Sequence, residues 1–220
     1  MSECILRAEN IVKNYGKQNV LKNVSLEISE GEMTAITGQS GSGKSTLLYI
    51  LSGLDKPTSG DVYYKNNSLF KMNDNEISKL HKTDFGFIFQ FYNLIDNFSV
   101  KDNITFPLII NGKKKNEVES VIEKYIDIVN LKDKLNKFPY QLSGGEQQRV
   151  AILRALVMSP SIIFADEPTG NLDTKMGVEI MELLSNIHKE YKTTVLMVTH
   201  NNDLLKYFSR EIKIVDGKLY

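Results

Sequence analysis

The segment GQSGSGKST, at residues 38–46, combines three glycines with a lysine that is followed by serine and threonine. It comes directly after the apolar run at residues 33–37, which predicts a buried strand. Gly41 and Gly43 can adopt a positive φ, so successive backbone N–H groups can surround the oxygens of a phosphate chain. A helix that begins near Lys44 adds its N-terminal dipole. The pattern therefore predicts a phosphate-binding loop.

The side chains of this loop differ in their expected roles. We expect Lys44 to reach the β- and γ-phosphates, the Ser45 hydroxyl to bind Mg²⁺, and Thr46 to contact the α-phosphate side. The other predicted phosphate contacts are Gly38, Ser40, Gly41, Ser42 and Gly43. The alternative is a flexible linker of glycine and serine. The strand before the loop and the apolar segment TLLYILSGL after it disfavour a linker.

A pair of carboxylates ends the apolar segment SIIFADEP. At the carboxyl end of a central strand, Asp166 and Glu167 would face the phosphate-binding loop. We expect Asp166 to hold Mg²⁺ through water and Glu167 to orient and deprotonate an attacking water. The alternative is an acidic corner between a strand and a loop.

The composition is that of an ordinary globular protein. The 220 residues, 41% of them hydrophobic, are enough for one domain or for two tightly joined lobes. The 27 basic and 27 acidic residues cancel, so no overall field attracts nucleic acid or an anionic membrane. Cys4 is the single cysteine, which suits a reducing compartment. Neither a signal peptide nor a membrane span is expected.

Strands and helices alternate along most of the chain, which predicts a mostly parallel sheet with ligands at the carboxyl ends of its strands. Two alternating segments at the start predict an antiparallel β entry, and residues 91–158 predict an inserted helical lobe. The expected strands are 6–12, 20–28, 33–37, 61–64, 85–90 and the segments SIIFADEP and TTVLMVTH, with a closing hairpin around Asp216 and Gly217.

The segment LSGGEQQR predicts a second exposed helix start, with Ser143 as N-cap followed by Gly144 and Gly145. One nucleotide needs only one such helix start to bind its phosphates. Here the chain resembles the ATP-binding cassette (ABC) family, in the phosphate loop, Gln90, residues 142–146, Asp166-Glu167, NLD at 171–173 and His200. The resemblance covers essentially the whole chain. It implies an α/β P-loop cassette of one domain, 1–220, with a nucleotide-binding core (1–90 and 159–220) and a helical signature subdomain (91–158).

The resemblance also implies ATP and Mg²⁺ as cofactors and a head-to-tail pair of ATPase subunits. The signature of one subunit, Ser143, Gly144, Gly145 and Glu146, would close on the ATP of the other. Glu146 stands where the family most often has Gln. Asp173 would couple the two sites across the interface.

Three further residues take roles from the same resemblance. His200 would contact the γ-phosphate, whereas His81 and His188 are interpreted as ordinary histidines. Gln90 would sense the metal and the γ-phosphate and act as a hinge, the alternative being a core or surface glutamine. Tyr15 matches the adenine-stacking aromatic of the family, the alternative being a strand-edge tyrosine.

A cassette without a membrane span must act on another protein. In this family the region after Gln90 receives a cytoplasmic helix of a membrane permease, so residues 91–94 (Phe91, Tyr92, Asn93 and Leu94) are the expected contacts, the alternative being packing of the helical lobe. Within the family, the chain most resembles the macrolide-exporter, lipoprotein-release and bacitracin-resistance group, in the segments FQFYNL, LSGGEQQRVAI and ADEPTGNLD. The homodimeric ATPases of this group work at the cytoplasmic face of the membrane.

The rival hypotheses are a soluble cassette acting on nucleic acid or ribosomes, a phosphate-loop kinase or GTPase, and a module that does not hydrolyse nucleotide.

Overall fold

The computed structural model describes residues 3–220; Met1 and Ser2, which belong to the predicted domain 1–220, lie outside the described residues. The strands are β1 (Cys4–Tyr15), β2 (Gln18–Ser29), β3 (Met33–Thr37), β4 (Ser59–Tyr64), β5 (Asn67–Ser68), β6 (Phe85–Phe89), β7 (Ile162–Asp166), β8 (Thr194–Val198), β9 (Arg210–Val215) and β10 (Lys218–Leu219). The helices are α1 (Lys44–Leu51), α2 (Asp74–Thr83), α3 (Val100–Ile110), α4 (Lys115–Val129), α5 (Gly144–Leu156) and α6 (Thr174–Tyr191). Among the residues described, no helix is both long and apolar enough to cross a membrane.

The main sheet has six strands in the order β10-β9-β3-β8-β7-β6. All its pairs are parallel except β9 with β10. The predicted mostly parallel sheet is therefore confirmed. The strand β9 was expected only as part of a closing hairpin, yet it also pairs in parallel with β3.

Apolar side chains alternate between the two faces of this sheet, because successive side chains of a strand point to opposite sides. In β7, Ile163 and Ala165 join a cluster that contains α3, α4, α5 and α6. Ile162 and Phe164 join the opposite cluster, which contains α1 and the antiparallel strands. The continuous apolar runs seen in the sequence are those of strands buried on both faces.

A second sheet, β2-β1-β4-β5, is antiparallel throughout. It confirms the predicted β entry, with longer strands than the alternation indicated. The closing hairpin turns at Asp216 and Gly217, whose φ values of 47° and 77° suit a two-residue type I′ turn.

The region 91–158 is helical as predicted, but its apolar side chains share one cluster with α6 and a face of the main sheet. The helical segment therefore packs on the core rather than around a separate core. The division of the chain into a core and a signature subdomain stays a prediction. One boundary differs: β6 ends at Phe89, so Gln90 follows the strand instead of ending it.

Candidate active site

The predicted site residues follow four neighbouring strands of the main sheet. The loop at 38–46 follows β3, Asp166 ends β7, His200 comes two residues after β8, and Gln90 comes directly after β6. These four strands run parallel, so their carboxyl ends share one edge of the sheet. The topology thus brings together residues that are far apart in the sequence.

Glycine allows the tight path of the loop after β3. Gly38, Gly41 and Gly43 have φ values of 146°, 78° and 103°, a region that disfavours residues with a Cβ. The helix α1 then begins at Lys44, and its first N–H groups have no acceptor inside the helix. The Lys44 ammonium donates to the carbonyls of Gly38 (3.0 Å) and Gln39 (2.9 Å) and so lies over the loop. The predicted helix start near Lys44 is confirmed, and phosphate binding by the loop stays a prediction.

Two observations fit a phosphate group in this loop. Ser42 is nearly buried, yet its Oγ has no hydrogen-bond partner among residues 3–220. A Cβ on Gly38 would lie 2.8 Å from that Oγ and 2.2 Å from the carbonyl oxygen of Ile214, so only glycine leaves the backbone this close. An open cleft of about 240 Å³ lies against the loop and is also lined by Gln18, Val20 and Glu167. Phosphate oxygens would give Ser42 and the free N–H groups their acceptors.

Asp166 accepts two hydrogen bonds at the edge of this cleft. The Ser45 hydroxyl donates to Oδ1 (2.8 Å), and the Tyr49 phenol donates to Oδ2 (2.6 Å). Burial and the bond to Asp166 raise the pKa of the Tyr49 phenol, so it stays a donor. Ser45, the expected ligand of Mg²⁺, and Asp166, expected to hold the ion through water, therefore lie side by side. Both offer the oxygen atoms that this hard cation prefers.

Glu167 and His200 meet beside the loop. The Nδ1 atom of His200 lies 3.0 Å from Oε2 of Glu167, and the imidazole is largely exposed. Glu167 has a φ of 45°, an unusual conformation for a residue with a side chain. A left-handed conformation at a residue with a side chain costs about 1–3 kcal/mol. The strained turn after β7 presents the Glu167 carboxylate to His200.

Gln90 contacts the loop that carries the NLD residues and makes no hydrogen bond to Ser45 or Asp166. Its side-chain amide donates to Oδ1 of Asn171 (3.2 Å), and the Asn171 amide donates back to the Gln90 carbonyl (2.9 Å). Its expected role as a sensor of the metal and the γ-phosphate stays a prediction. Asp173 caps α6 by accepting from Met176 N, and it lines a cavity of about 150 Å³ together with Glu167 and His200.

The second glycine-rich helix start has a different setting. Ser143 caps α5 and forms a capping box with Glu146, each side chain bonding the backbone N–H of the other. The second oxygen of the Glu146 carboxylate pairs with the Lys134 ammonium. That pair lowers the pKa of Glu146, so the carboxylate stays charged. In residues 3–220, no hydrogen bond or ion pair joins residues 143–146 to the loop at 38–46.

Each signature glycine packs closely on a neighbouring element. A Cβ on Gly144 would lie 2.8 Å from the Tyr92 hydroxyl. A Cβ on Gly145 would lie 1.9 Å from Cε of Met176, in α6. The signature is therefore in contact with the segment after Gln90 and with the helix that Asp173 caps.

Tyr15 ends β1, beside the turn that leads to Gln18 and Val20 in the cleft wall. Its ring is about half exposed, at 52%. The phenol donates to Asp55 (2.6 Å), and this bond raises its pKa. An exposed aromatic face next to the phosphate loop is compatible with base stacking, and the role itself stays a prediction.

Comparison with known proteins decides the family. The model of the ABC transporter family matches residues 21–170. The chain belongs to the ABC transporter family.

An uncharacterized ABC transporter ATP-binding protein of Methanocaldococcus jannaschii is 46% identical over 98% of this chain and 97% of its own length. The lipoprotein-releasing system ATP-binding protein LolD of Geobacter metallireducens is 41% identical over 98% of this chain and 97% of its own. A solved dimeric cassette in a post-hydrolysis state, bound to ADP and Pi, is 40% identical with a TM-score of 0.88, over 98% of this chain and 96% of that one.

The chain is thus an ABC cassette ATPase that uses ATP with Mg²⁺. The predicted fold, family and enzyme class are confirmed, and the kinase or GTPase alternative is wrong. The roles of the individual side chains stay predictions.

The sequence did not indicate that Tyr49 belongs to the site, although it lies one helical turn after Ser45. Nor did it indicate Lys134, Asn171 or Arg154, which donates to the carbonyls of residues 92 and 93 (2.8 and 2.5 Å).

Proposed function

We propose that two copies of this chain pair head to tail around two Mg-ATP and drive a separate membrane permease. The pair would lie at the cytoplasmic face of the membrane, held there by the permease. We assign it to the exporter and mechanotransmission group, whose cargo classes are antimicrobial peptides, macrolides and lipoproteins.

The observation that carries the pairing is the position of the signature. Ser143 and the two glycines present the N-terminus of α5, an anion-binding end, yet no hydrogen bond or ion pair within residues 3–220 connects them to the phosphate loop. A second copy can bring its signature to the phosphates held by the first. The dimeric form of a 40% identical cassette supports this arrangement.

The chemistry follows from the positions of the side chains. Bound Mg²⁺ would supply charge neutralisation to the transferring phosphoryl group. Glu167 would take the proton of the attacking water, and His200, held by Glu167 at 3.0 Å, would donate to the γ-phosphate. Lys44 and the Ser143 hydroxyl of the partner copy would complete a set of donors fixed before the reaction. Hydrolysis would then reopen the pair.

The surface after Gln90 supports a permease contact. Phe91 is 73% exposed, so its ring is available to a partner, whereas Leu94 packs partly on the core. An open cleft of about 280 Å³ lies close by, lined by Phe87, Phe89, Asn93, Pro107, Arg154 and Met158. Among residues 91–94 we therefore propose Phe91 and Asn93 as the contacts; the packing alternative fits Leu94 best.

The lipoprotein class has the most support among the three cargo classes. Two relatives, 41% and 40% identical over nearly the whole chain, are lipoprotein-releasing ATP-binding proteins, from Geobacter metallireducens and Chlorobium chlorochromatii. A soluble cassette acting on nucleic acid or ribosomes is the rival.

A mixed pair of two differently tagged copies tests the shared site. One copy carries Lys44→Ala and the other Ser143→Asp, which keeps a good N-cap but adds a negative charge. If sites are shared, one site of the mixed pair has both changes and the other has none, so the pair still traps one ATP. If each copy uses its own signature, the mixed pair traps none, and the proposal fails.

The permease is tested by co-purification from native membranes. Tagged Glu167→Gln protein is isolated in detergent with Mg-ATP, and its partners are identified by mass spectrometry. We expect a permease with few spans and a large outer domain, lost on Phe91→Asp but retained on Tyr140→Asp, an equally exposed aromatic elsewhere. Ribosomal or DNA-bound partners without a permease would favour the rival.

A further inference from the structure

A buried lysine and an aspartate surround the exposed Tyr15 ring. The Lys13 ammonium lies 4.7 Å from the ring centroid, so a cation covers one side of the ring. Asp55 accepts from the Tyr15 phenol through Oδ2 (2.6 Å) and from Lys13 through Oδ1 (2.7 Å). One carboxylate thus fixes both the ring and the cation beneath it.

This three-residue cluster is fixed on the Lys13 side and open on the Tyr15 side. Lys13 is only 8% exposed, and its ammonium also donates to the carbonyl of Lys56 (2.6 Å). Tyr15 by contrast is 52% exposed. With its phenol and one face engaged, the ring has a single free face for a flat aromatic ligand.

The cluster also links the ring to the phosphate loop. Asp55 lies in the turn after α1, where its N–H donates to the carbonyl of Tyr49 (3.1 Å). The helix α1 begins at Lys44, directly after the loop glycines. The separation between the ring and the loop is therefore set by one short helix and two hydrogen bonds.

We propose that Asp55 and Lys13 are positioning residues that hold Tyr15 in the orientation in which the adenine base of ATP stacks on its free face. This rests on the proposed base-binding role of Tyr15. A ring that is already ordered loses less side-chain freedom when the base binds, so the cluster raises the affinity for ATP without touching it.

The test compares ATP with inorganic tripolyphosphate, which has the phosphates but no base. Both are titrated with Mg²⁺ by calorimetry against wild type, Asp55→Asn and Lys13→Met. Asp55→Asn leaves one carbonyl oxygen for two donors, so the ring is no longer held. We expect ATP affinity to fall about three- to tenfold and tripolyphosphate affinity to stay unchanged. Lys65→Met is the matched control, because Lys65 covers the Tyr64 ring (5.1 Å) in the same way.

A double-mutant cycle separates positioning from plain stability. In a Tyr15→Ala background, Asp55→Asn should have no further effect on ATP affinity. Equal losses for ATP and tripolyphosphate, or a full additional loss in that background, would overturn the inference and make the pair merely structural. If Tyr15→Ala lowers ATP affinity but Asp55→Asn does not, the inference alone fails. If Tyr15→Ala changes nothing, the base-binding role of Tyr15 fails first.

Discussion

Two glycine-rich helix starts of this chain, the phosphate loop before α1 and the signature before α5, have similar sequences but different surroundings. The phosphate loop lies among its partners: Ser45 bonds Asp166, and Glu167 lies in the same cleft wall. The signature is capped by its own residues, Ser143 and Glu146, and packs on Tyr92 and Met176. Within the described chain, the first region faces other candidate site residues, whereas the second bonds only to its own helix start and to Lys134.

The two regions should therefore respond differently to substitution. A change in the phosphate loop should weaken nucleotide binding by a single copy. A change in the signature should leave that binding intact and weaken only the association of two copies. Four sets of substitutions test this distinction.

Glu167→Gln should separate binding from hydrolysis. Because it removes the proposed general base but keeps the shape of the side chain, we expect the rate of ATP hydrolysis to fall about 10²- to 10⁴-fold. Phosphate release measures the rate, and light scattering should show that an ATP-bound pair accumulates. Near wild-type hydrolysis, or no such pair, would contradict the role of Glu167.

Lys44→Ala should weaken nucleotide binding by a single copy. Its ammonium lies over the loop, and hydrogen bonds to charged groups contribute about 1.5–3 kcal/mol, so ATP affinity should fall about 10- to 100-fold. Calorimetry measures the affinity. Lys115→Ala, at a side chain 90% exposed, is the control and should bind ATP normally. Unchanged affinity in Lys44→Ala would remove the basis of the comparison.

Ser143→Asp should act only on the association of two copies. Asp caps a helix as well as Ser, so the fold of α5 is kept, but its carboxylate would repel the phosphates of the partner. In the Glu167→Gln background we expect ATP-driven pairing, followed by sedimentation, to weaken about tenfold or more.

Ser143→Asn is the matched control, an equally good cap without charge, and should pair more tightly than the Asp variant. Single-copy ATP affinity should be the same in all three proteins. If Ser143→Asp weakens that affinity instead, the signature belongs to its own site and the two regions are one.

Much of this fold could be predicted because its signals are local. The runs at 33–37 and 162–166 became buried parallel strands, and α1 begins where the loop glycines predicted. The contacts that complete the site could not be predicted in this way. Tyr49 and Asp166 are 117 positions apart, and Lys13 and Asp55 are 42 apart. Nothing in either local pattern indicates which distant partner the tertiary fold will supply.

The smallest predicted effect concerns the Lys134–Glu146 pair. Glu146 adds a negative charge three residues after Ser143, and the Lys134 ammonium pairs with it. Lys134→Met would leave this charge unpaired at the face that is proposed to meet the partner's phosphates. We expect ATP-driven pairing in the Glu167→Gln background to weaken about threefold, with single-copy ATP affinity unchanged.

Two controls decide whether charge is the cause. Lys132→Met removes a neighbouring lysine that makes no ion pair with Glu146, and it should have a smaller effect. Lys134→Met combined with Glu146→Gln should restore pairing, because the amide can still accept from the Ser143 N–H without carrying a charge. If the double variant stays as weak as Lys134→Met alone, Lys134 acts through packing. Restored pairing would instead mean that the signature, like the phosphate loop, depends on a balanced charge.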